Sequence, residues 1–286
     1  MAEVKRLDAW RRGSGEMASA LSVDEVAQRA ARIAVEGPSI QRLDDLAGDD
    51  PILVIDGLFA GYGKMEILHG IHLRVGRGQA LCLIGPNGAG KSTVLHSIYG
   101  FTKITAGRIA VNGRQVTHLP PNAKLQSARI AYLLQESSVF PEMSVEENIW
   151  MGGYLLPPHE ARARAERVFE KYERLRERRR ARAGRLSGGE RRLLEISRAL
   201  IMDPEILLVD EPSIGLEPRF VAQVFDALHR LRQEERKTII MVEQNAKKGL
   251  QFSDVGYLLV SGGVALAGTG QELLQHAEVG RLFLGA

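Results

Sequence analysis

Nine consecutive residues, Gly85-Pro86-Asn87-Gly88-Ala89-Gly90-Lys91-Ser92-Thr93, have the types and spacing to wrap a phosphate. They fit the pattern G-x-x-x-x-G-K-[ST]. Glycines let the backbone close around phosphate oxygens, and the N–H groups of the loop and of a following helix supply positive potential. Lys91 is placed to reach β- and γ-phosphates, and the Ser92 hydroxyl to hold Mg²⁺. A second group, Ile206-Leu207-Leu208-Val209-Asp210-Glu211, is an apolar run that ends in two carboxylates. At the carboxyl edge of a parallel sheet, Asp210 would face the cation held by Ser92. Glu211 would then orient or deprotonate an attacking water. A third group, Leu186-Ser187-Gly188-Gly189-Glu190, precedes a segment rich in Leu and Ile. Ser-Gly-Gly at a helix start is a second anion site by the same helix-terminus physics. Two such sites in one chain fit best if the second serves a nucleotide held by another copy.

These groups need a scaffold that alternates strands and helices. Strand patterns run over Ile52–Phe59, Ile67–Val75, Gln79–Ile84, Arg108–Val111, Ile130–Leu134, Ile206–Val209 and Thr238–Val242. Helical periods run over Lys91–Tyr99, Glu160–Leu175, Gly188–Ile201 and Phe220–Arg232. The alternation predicts an α/β fold, a mainly parallel sheet with helices on both faces. Runs that are apolar at every position, such as Ile206–Val209, suit strands buried on both sides. From about 141 to 190 no strand pattern occurs, which predicts an inserted α-helical lobe. It opens on a capping box, Ser144-Val145-Glu146-Glu147.

Residues 1–50 carry neither strand pattern nor catalytic motif. Ser22-Val23-Asp24-Glu25 is another capping box, followed by a narrow apolar face at Val26, Ala30 and Ile33 and a stop at Gly37-Pro38. This segment is expected to be a partly helical or disordered extension, dispensable for folding and hydrolysis, with the catalytic domain spanning 51–286.

Composition narrows the class. The chain has 286 residues, 44% of them hydrophobic, and a formal charge of +3, too small for charge alone to imply nucleic-acid binding. Residues 158–192 hold 13 Arg or Lys against 6 Glu, so the rest is about −4. The arginine-rich stretch 174–182 has no interleaved aromatics to stack on bases, and is read as a solvated face. No apolar run approaches the roughly 18 residues of a membrane span. The Arg11-Arg12 pair is followed by Gly13-Ser14-Gly15-Glu16 rather than an apolar export signal. The one cysteine, Cys82, lies in an apolar run, as expected of a buried thiol in a reducing compartment. The histidines show no metal-ligand spacing. The tetrapeptide Asn-Lys-x-Asp, by which Ras-type GTPases read guanine, does not occur.

In order and spacing, Gly85–Thr93, Gln135, Leu186–Glu190, Ile206–Glu211 and Ser213–Pro218 resemble the ATP-binding-cassette (ABC) ATPases. The resemblance covers about residue 51 to the end. Phe59-Ala60-Gly61-Tyr62-Gly63, Phe140-Pro141, Met151-Gly152-Gly153 and Val242-Glu243-Gln244-Asn245-Ala246 are similar to the ATPase subunits of branched-chain amino acid importers. The resemblance implies a P-loop ATPase core with an antiparallel β subdomain and the helical lobe. It implies that Tyr62 stacks on adenine, that Gln135 contacts Mg²⁺ and the attacking water, and that Gln244 occupies the switch position. Most of the superfamily has His at that position, whereas the branched-chain group commonly has Gln. Ser187, Gly188 and Gly189 would bind the γ-phosphate of ATP held by the opposite subunit. Glu217 stands where many members have Asp.

The expected activity is ATP hydrolysis that powers solute import, most of all of branched-chain amino acids. Alternatives are a urea or short-amide importer, a lipopolysaccharide-export type ATPase, or a soluble non-transport ABC protein. Expected cofactors are ATP and Mg²⁺. Expected partners are a second ATPase subunit, identical or related, transmembrane permease subunits and, indirectly, a solute-binding protein, but no nucleic acid. The protein would sit in the cytoplasm at the inner face of the membrane, held there by the permease.

Overall fold

The computed structural model describes residues 37–135 and 138–284. The helix expected after Ser22 lies outside the described residues. The chain enters through α1 (Ile40–Ala47), capped by the Ser39 side chain, which accepts from the Arg42 N–H. Then follow β1 (Pro51–Tyr62), β2 (Met65–Gly76), β3 (Ala80–Ile84), α2 (Lys91–Tyr99), β4 (Lys103–Val111), β5 (Arg114–Gln115), α3 (Pro121–Gln126) and β6 (Ile130–Leu133). A helical stretch comes next: α4 (Val145–Met151), α5 (Pro158–Lys171), α6 (Glu173–Glu177) and α7 (Gly188–Leu200). The chain closes with β7 (Ile206–Asp210), α8 (Pro218–Glu235), β8 (Thr238–Val242), α9 (Ala246–Phe252), β9 (Val255–Val260), β10 (Gly263–Thr269), α10 (Gly270–Gln275) and α11 (Ala277–Val279).

Two sheets form. One is antiparallel, in the order β2-β1-β4-β5. The other runs β10-β9-β3-β8-β7-β6, and all its pairings are parallel except β9 with β10. Strands β3, β7 and β8 are buried at every position, as their unbroken apolar sequences require. One core cluster joins the two sheets, and another lies on the opposite face of the parallel sheet under α8 and α9. The α/β core, antiparallel subdomain and helical lobe match the expected architecture.

Three details depart from expectation. The helix expected over Glu160–Leu175 breaks at Tyr172, whose φ of −116° and ψ of 82° leave the helical region. The lobe's own apolar cluster reaches Leu194 and Ile201, past the boundary drawn near 190, because α7 runs unbroken out of the lobe. A boundary at residue 50 also cuts real packing. Leu43 is wholly buried and Leu46 nearly so, both in the core between the sheets. Asp44 pairs with Arg74 of β2 at 3.0 Å, Arg42 pairs with Glu272 of α10, and the Leu46 carbonyl accepts from Gln79. Residues 40–47 are therefore part of the folded unit.

One charge is buried without an acidic partner among the described residues. Lys124 of α3 has no exposed surface, and its Nζ donates to the carbonyl of Ser97 at 3.2 Å, in the last turns of α2. Burial pushes its amine down to about 8.

Candidate functional site: a glycine-rich loop, two carboxylates and a Ser-Gly-Gly helix start

The loop Gly85–Gly90 links β3 to α2 at the carboxyl edge of the parallel sheet. Two of its glycines are sterically required. A Cβ on Gly85 would lie 2.2 Å from the carbonyl oxygen of Leu259, and Gly90, at φ 97°, starts α2 in the left-handed region. Asn87 and Gly88 are exposed, Ala89 and Gly90 buried, and Gly85, Pro86, Lys91 and Ser92 partly buried. Lys91 folds back over the loop and donates to the carbonyls of Gly85 at 2.9 Å and Pro86 at 3.0 Å. Burial lowers its pKa against the opposing pull of the Glu211 and Asp210 carboxylates.

Strand β7 delivers Asp210, 3% exposed, to the same edge. Its Oδ1 accepts from Ser92 Oγ at 3.1 Å and its Oδ2 from the Tyr132 hydroxyl at 3.0 Å. The adjoining Glu211 has left the strand with φ 42°, and its N–H donates to the Val242 carbonyl at 2.9 Å. That turn aims its carboxylate at Gln135, whose Nε2 donates to Glu211 Oε2 at 2.8 Å. Burial, then the neighbouring Asp210, holds the Glu211 carboxyl above the ordinary value. Gln244 follows β8 two residues after Val242, the register partner of Asp210, and its side chain is exposed at the same edge.

Tyr62 ends β1 and is 40% exposed. Its hydroxyl meets His96 Nδ1 on α2, and the two rings pack edge to face at 6.0 Å. The aromatic lies beside the loop's helix, with its phenol oriented inward. Thr93 is buried within α2.

Ser187, Gly188 and Gly189 lie at the start of α7. Ser187 Oγ accepts from the Glu190 N–H while the Glu190 carboxylate accepts from the Ser187 N–H, a complete capping box. A Cβ on Gly189 would lie 2.4 Å from the Phe220 ring, so only glycine lets this helix end meet α8 so closely. Among the described residues, no hydrogen bond joins Ser187, Gly188 or Gly189 to the phosphate loop. Gly188 instead lines a cavity of about 170 Å³ with Gln135, Arg191, Arg192, Glu195 and Glu211.

The loop, Gln135 and the adjacent pair Asp210-Glu211 are thus brought together from three separate stretches of the chain. A family model described as "ABC transporter" matches residues 68–214, just over half of the chain. The chain belongs to the ABC transporter ATPase family. It is 39% identical over 228 residues to a probable branched-chain amino acid transport ATP-binding protein, LivF, of Archaeoglobus fulgidus, covering 80% of this chain and 96% of that protein. It is 38% identical over 234 residues to the high-affinity branched-chain amino acid transport ATP-binding protein BraG of Pseudomonas aeruginosa, covering 82% and 100%. A lipopolysaccharide export system ATP-binding protein, LptB, of Acidithiobacillus ferridurans is 33% identical over 236 residues, covering 82% and 97%. Among solved structures, the ADP conformation of an ATP-binding cassette of an ABC transporter matches with a TM-score of 0.73 at 27% identity, covering 83% of this chain and all of that one. The chain is an ATPase subunit of this family, and it binds and hydrolyses ATP.

This ABC ATPase also holds residues that sequence reasoning passed over. Tyr132 fixes Asp210 from the next strand, and His96 fixes Tyr62. Arg192 and Glu195 form a buried ion pair on α7. The signal for the pair was present. The two stand three residues apart, in phase with the buried Gly189 and Ile196. A larger cavity, about 370 Å³, opens between the sheet and the lobe and is lined by Tyr99, Tyr132, Phe140, Met151, Tyr154 and Arg198 among others. Phe140, Met151 and Tyr154 are exposed there. Among the described residues, no helix is long and apolar enough to cross a membrane.

Proposed function

We propose that this ATPase powers import of branched-chain amino acids, as one of two head-to-tail subunits beneath a membrane permease. The observation that carries its catalytic part is the paired contact Ser92–Asp210 and Gln135–Glu211 at one sheet edge. Residues Gly85–Thr93 hold the phosphates and Tyr62 contacts adenine. Lys91 exchanges its bonds to the loop carbonyls for phosphate oxygens as a nucleotide enters. A hydroxyl beside one carboxylate suits Mg²⁺, a hard cation that takes its remaining ligands from water and phosphate. Among the described residues, no three His, Cys, Asp or Glu side chains form an all-protein cage, which agrees with that mode. Ser92, Asp210 and the Gln135 amide oxygen would hold the ion, and the ion would neutralise charge on the β- and γ-phosphates.

Glu211 accepts the proton of the attacking water. Burial and the neighbouring Asp210 raise its pKa above the ordinary carboxylate value, which strengthens it as a base. Gln135 fixes the rotamer of that carboxylate. Gln244 donates an amide hydrogen bond to the reacting phosphate, and so positions it without carrying a proton. Ser187, Gly188 and Gly189 offer a helix N-terminus to the γ-phosphate held by the second subunit. The exposed Phe140, Met151 and Tyr154 around the larger cavity suit docking of a permease segment against the lobe. That docking would hold the protein at the inner face of the membrane.

Support for the solute comes from the two branched-chain relatives, at 38–39% identity against 33% for the lipopolysaccharide-export relative. The test is purification of the full chain from detergent-solubilised membranes, with identification of what accompanies it, then ATPase assays of the reconstituted complex. Permease subunits should co-purify, and hydrolysis should rise with binding protein loaded with leucine, isoleucine or valine. Co-purification with a lipopolysaccharide-export permease, or stimulation by urea or a short amide alone, would overturn the solute assignment.

A further inference from the structure

The Arg192–Glu195 pair hydrogen-bonds to no side chain given a role above, yet it is among the most buried charged groups of the described residues. Arg192 is 7% exposed and Glu195 3%. Their 2.7 Å contact lies one to two turns along α7 from Ser187. What they grip is backbone. Arg192 Nη1 donates to the Leu134 carbonyl at 2.8 Å, and Nη2 to the Asp210 carbonyl at 3.2 Å. Glu195 Oε1 accepts from the Ser138 N–H at 2.8 Å. The two charges thus hold the chain immediately before Gln135 and three residues after it, while a third contact reaches the strand end that carries Asp210 and Glu211. Arg198, one more turn along, donates to the Ser138 carbonyl at 2.6 Å. Both Arg192 and Glu195 line the cavity onto which Gln135 and Glu211 open.

A buried ion pair contributes little net stability compared with apolar side chains of the same volume. Arg192 also leaves its Nε buried without a partner among the described residues. Fold stability is therefore a poor reason for this pair, and geometry a good one. An α-helix moves as a rigid rod over so few residues. A shift of the Ser187 end is passed through Arg192 and Glu195 to both sides of Gln135.

We propose that Arg192 and Glu195 are positioning residues that couple the two nucleotides of the dimer. They transmit occupancy at Ser187–Gly189 by the partner's ATP to Gln135 and Glu211 beside the chain's own ATP. This rests on the two-subunit reading given above. The pair acts through backbone and touches no substrate, so its loss leaves nucleotide affinity intact and removes communication between sites.

The test uses the full-length chain and compares Arg192→Met, Arg192→Lys, Glu195→Gln and the double variant Arg192→Met/Glu195→Met with wild type. Three quantities are read: MgATP affinity by equilibrium binding, kcat, and the Hill coefficient of hydrolysis against ATP. Affinity should stay within about 2-fold while kcat falls about 3- to 30-fold, the span typical of residues that carry coupling. The Hill coefficient should fall to 1. The double variant should cost no more than either single one, as expected of a unit. Lysine at 192 should restore part of kcat, because it keeps one donor. Thermal melting identifies any variant that fails to fold, and Glu195→Gln, which preserves shape, then decides alone. A Hill coefficient unchanged from wild type, with kcat within 2-fold, in Glu195→Gln and in every folded Arg192 variant would overturn the coupling. A wild-type chain without cooperativity would overturn the two-subunit reading itself, and the coupling with it.

Discussion

Replacing Lys124 by methionine should make this protein more stable at neutral pH, although the change removes a hydrogen bond and a charge. The lysine has no exposed surface and one carbonyl partner, Ser97, at 3.2 Å. Its amine lies at about 8 in the folded chain and near 10.5 when unfolded. The unfolded state therefore binds the proton more tightly, and the penalty is largest below pH 8, where both states are charged. It fades as pH rises from 8 to 10.5. A shift from 10.5 to about 8 corresponds to a penalty on the order of 3 kcal/mol. Methionine nearly matches the volume and flexibility of the lysine stem, so little cavity is expected. The variant should gain about 2–3 kcal/mol at pH 7, and the gain should shrink toward zero at pH 10.5. Urea denaturation of both proteins at pH 7, 9 and 10.5 measures this, and the difference between them cancels all other titrating groups. A methionine variant less stable than wild type at pH 7 would show that the Ser97 bond outweighs desolvation. A gain independent of pH would show that protonation of Lys124 has no part in it.

The other predictions concern turnover and the first helix. Glu211→Gln should bind MgATP, accumulate an ATP-bound dimer and lose about 10²- to 10⁴-fold in hydrolysis, and wild-type hydrolysis should fall on the acid side at a pH above 4.5, since the carboxyl is raised from that value. More than half the wild-type rate in single-turnover assays would exclude it as the base. Gln244→Ala should cost about 2.7–4 kcal/mol in the barrier, the range for a lost transition-state donor, whereas Gln244→His should retain substantial ATPase in the same reconstituted complex. Full activity of the alanine variant would remove Gln244 from the reacting phosphate. A chain beginning at residue 49 should lose about 3–6 kcal/mol by exposing the sites of Leu43 and Leu46, and one beginning at Gly37 should keep that stability, both read by denaturant midpoint.

What could be read in advance was what is contiguous. The phosphate loop and the strand ending Asp210-Glu211 each declare their chemistry within nine residues or fewer, since their geometry is set by adjacent backbone. The same holds for the box at Ser187 and for α2, which begins and ends where its sequence period does. The remainder depends on contacts across the chain. Tyr132 and Asp210 are 78 positions apart. Helix α1 is a single short element whose Leu43 and Leu46 are buried by sheet residues far along the chain. Lys124 breaks the rule that lysine is exposed, and no local pattern announces it. Arg192 and Glu195 share the phase of the buried Gly189 and Ile196, but the Leu134 and Asp210 carbonyls and the Ser138 N–H that they grip lie on other stretches of the chain. The expected strands stop at Val242, and β9 and β10 complete the sheet beyond it.

Glu211 holds its carboxylate in place with a left-handed backbone, at φ 42°. For a residue with a Cβ that conformation costs roughly 1–2 kcal/mol, and glycine adopts it freely. Selection for a durable fold and selection for turnover therefore pull this one codon in opposite directions. A lineage released from the need to hydrolyse ATP would drift toward glycine or asparagine here and gain thermal tolerance as it did so. The same substitution offers a practical tool, a chain more robust than its parent that loads nucleotide and does not spend it.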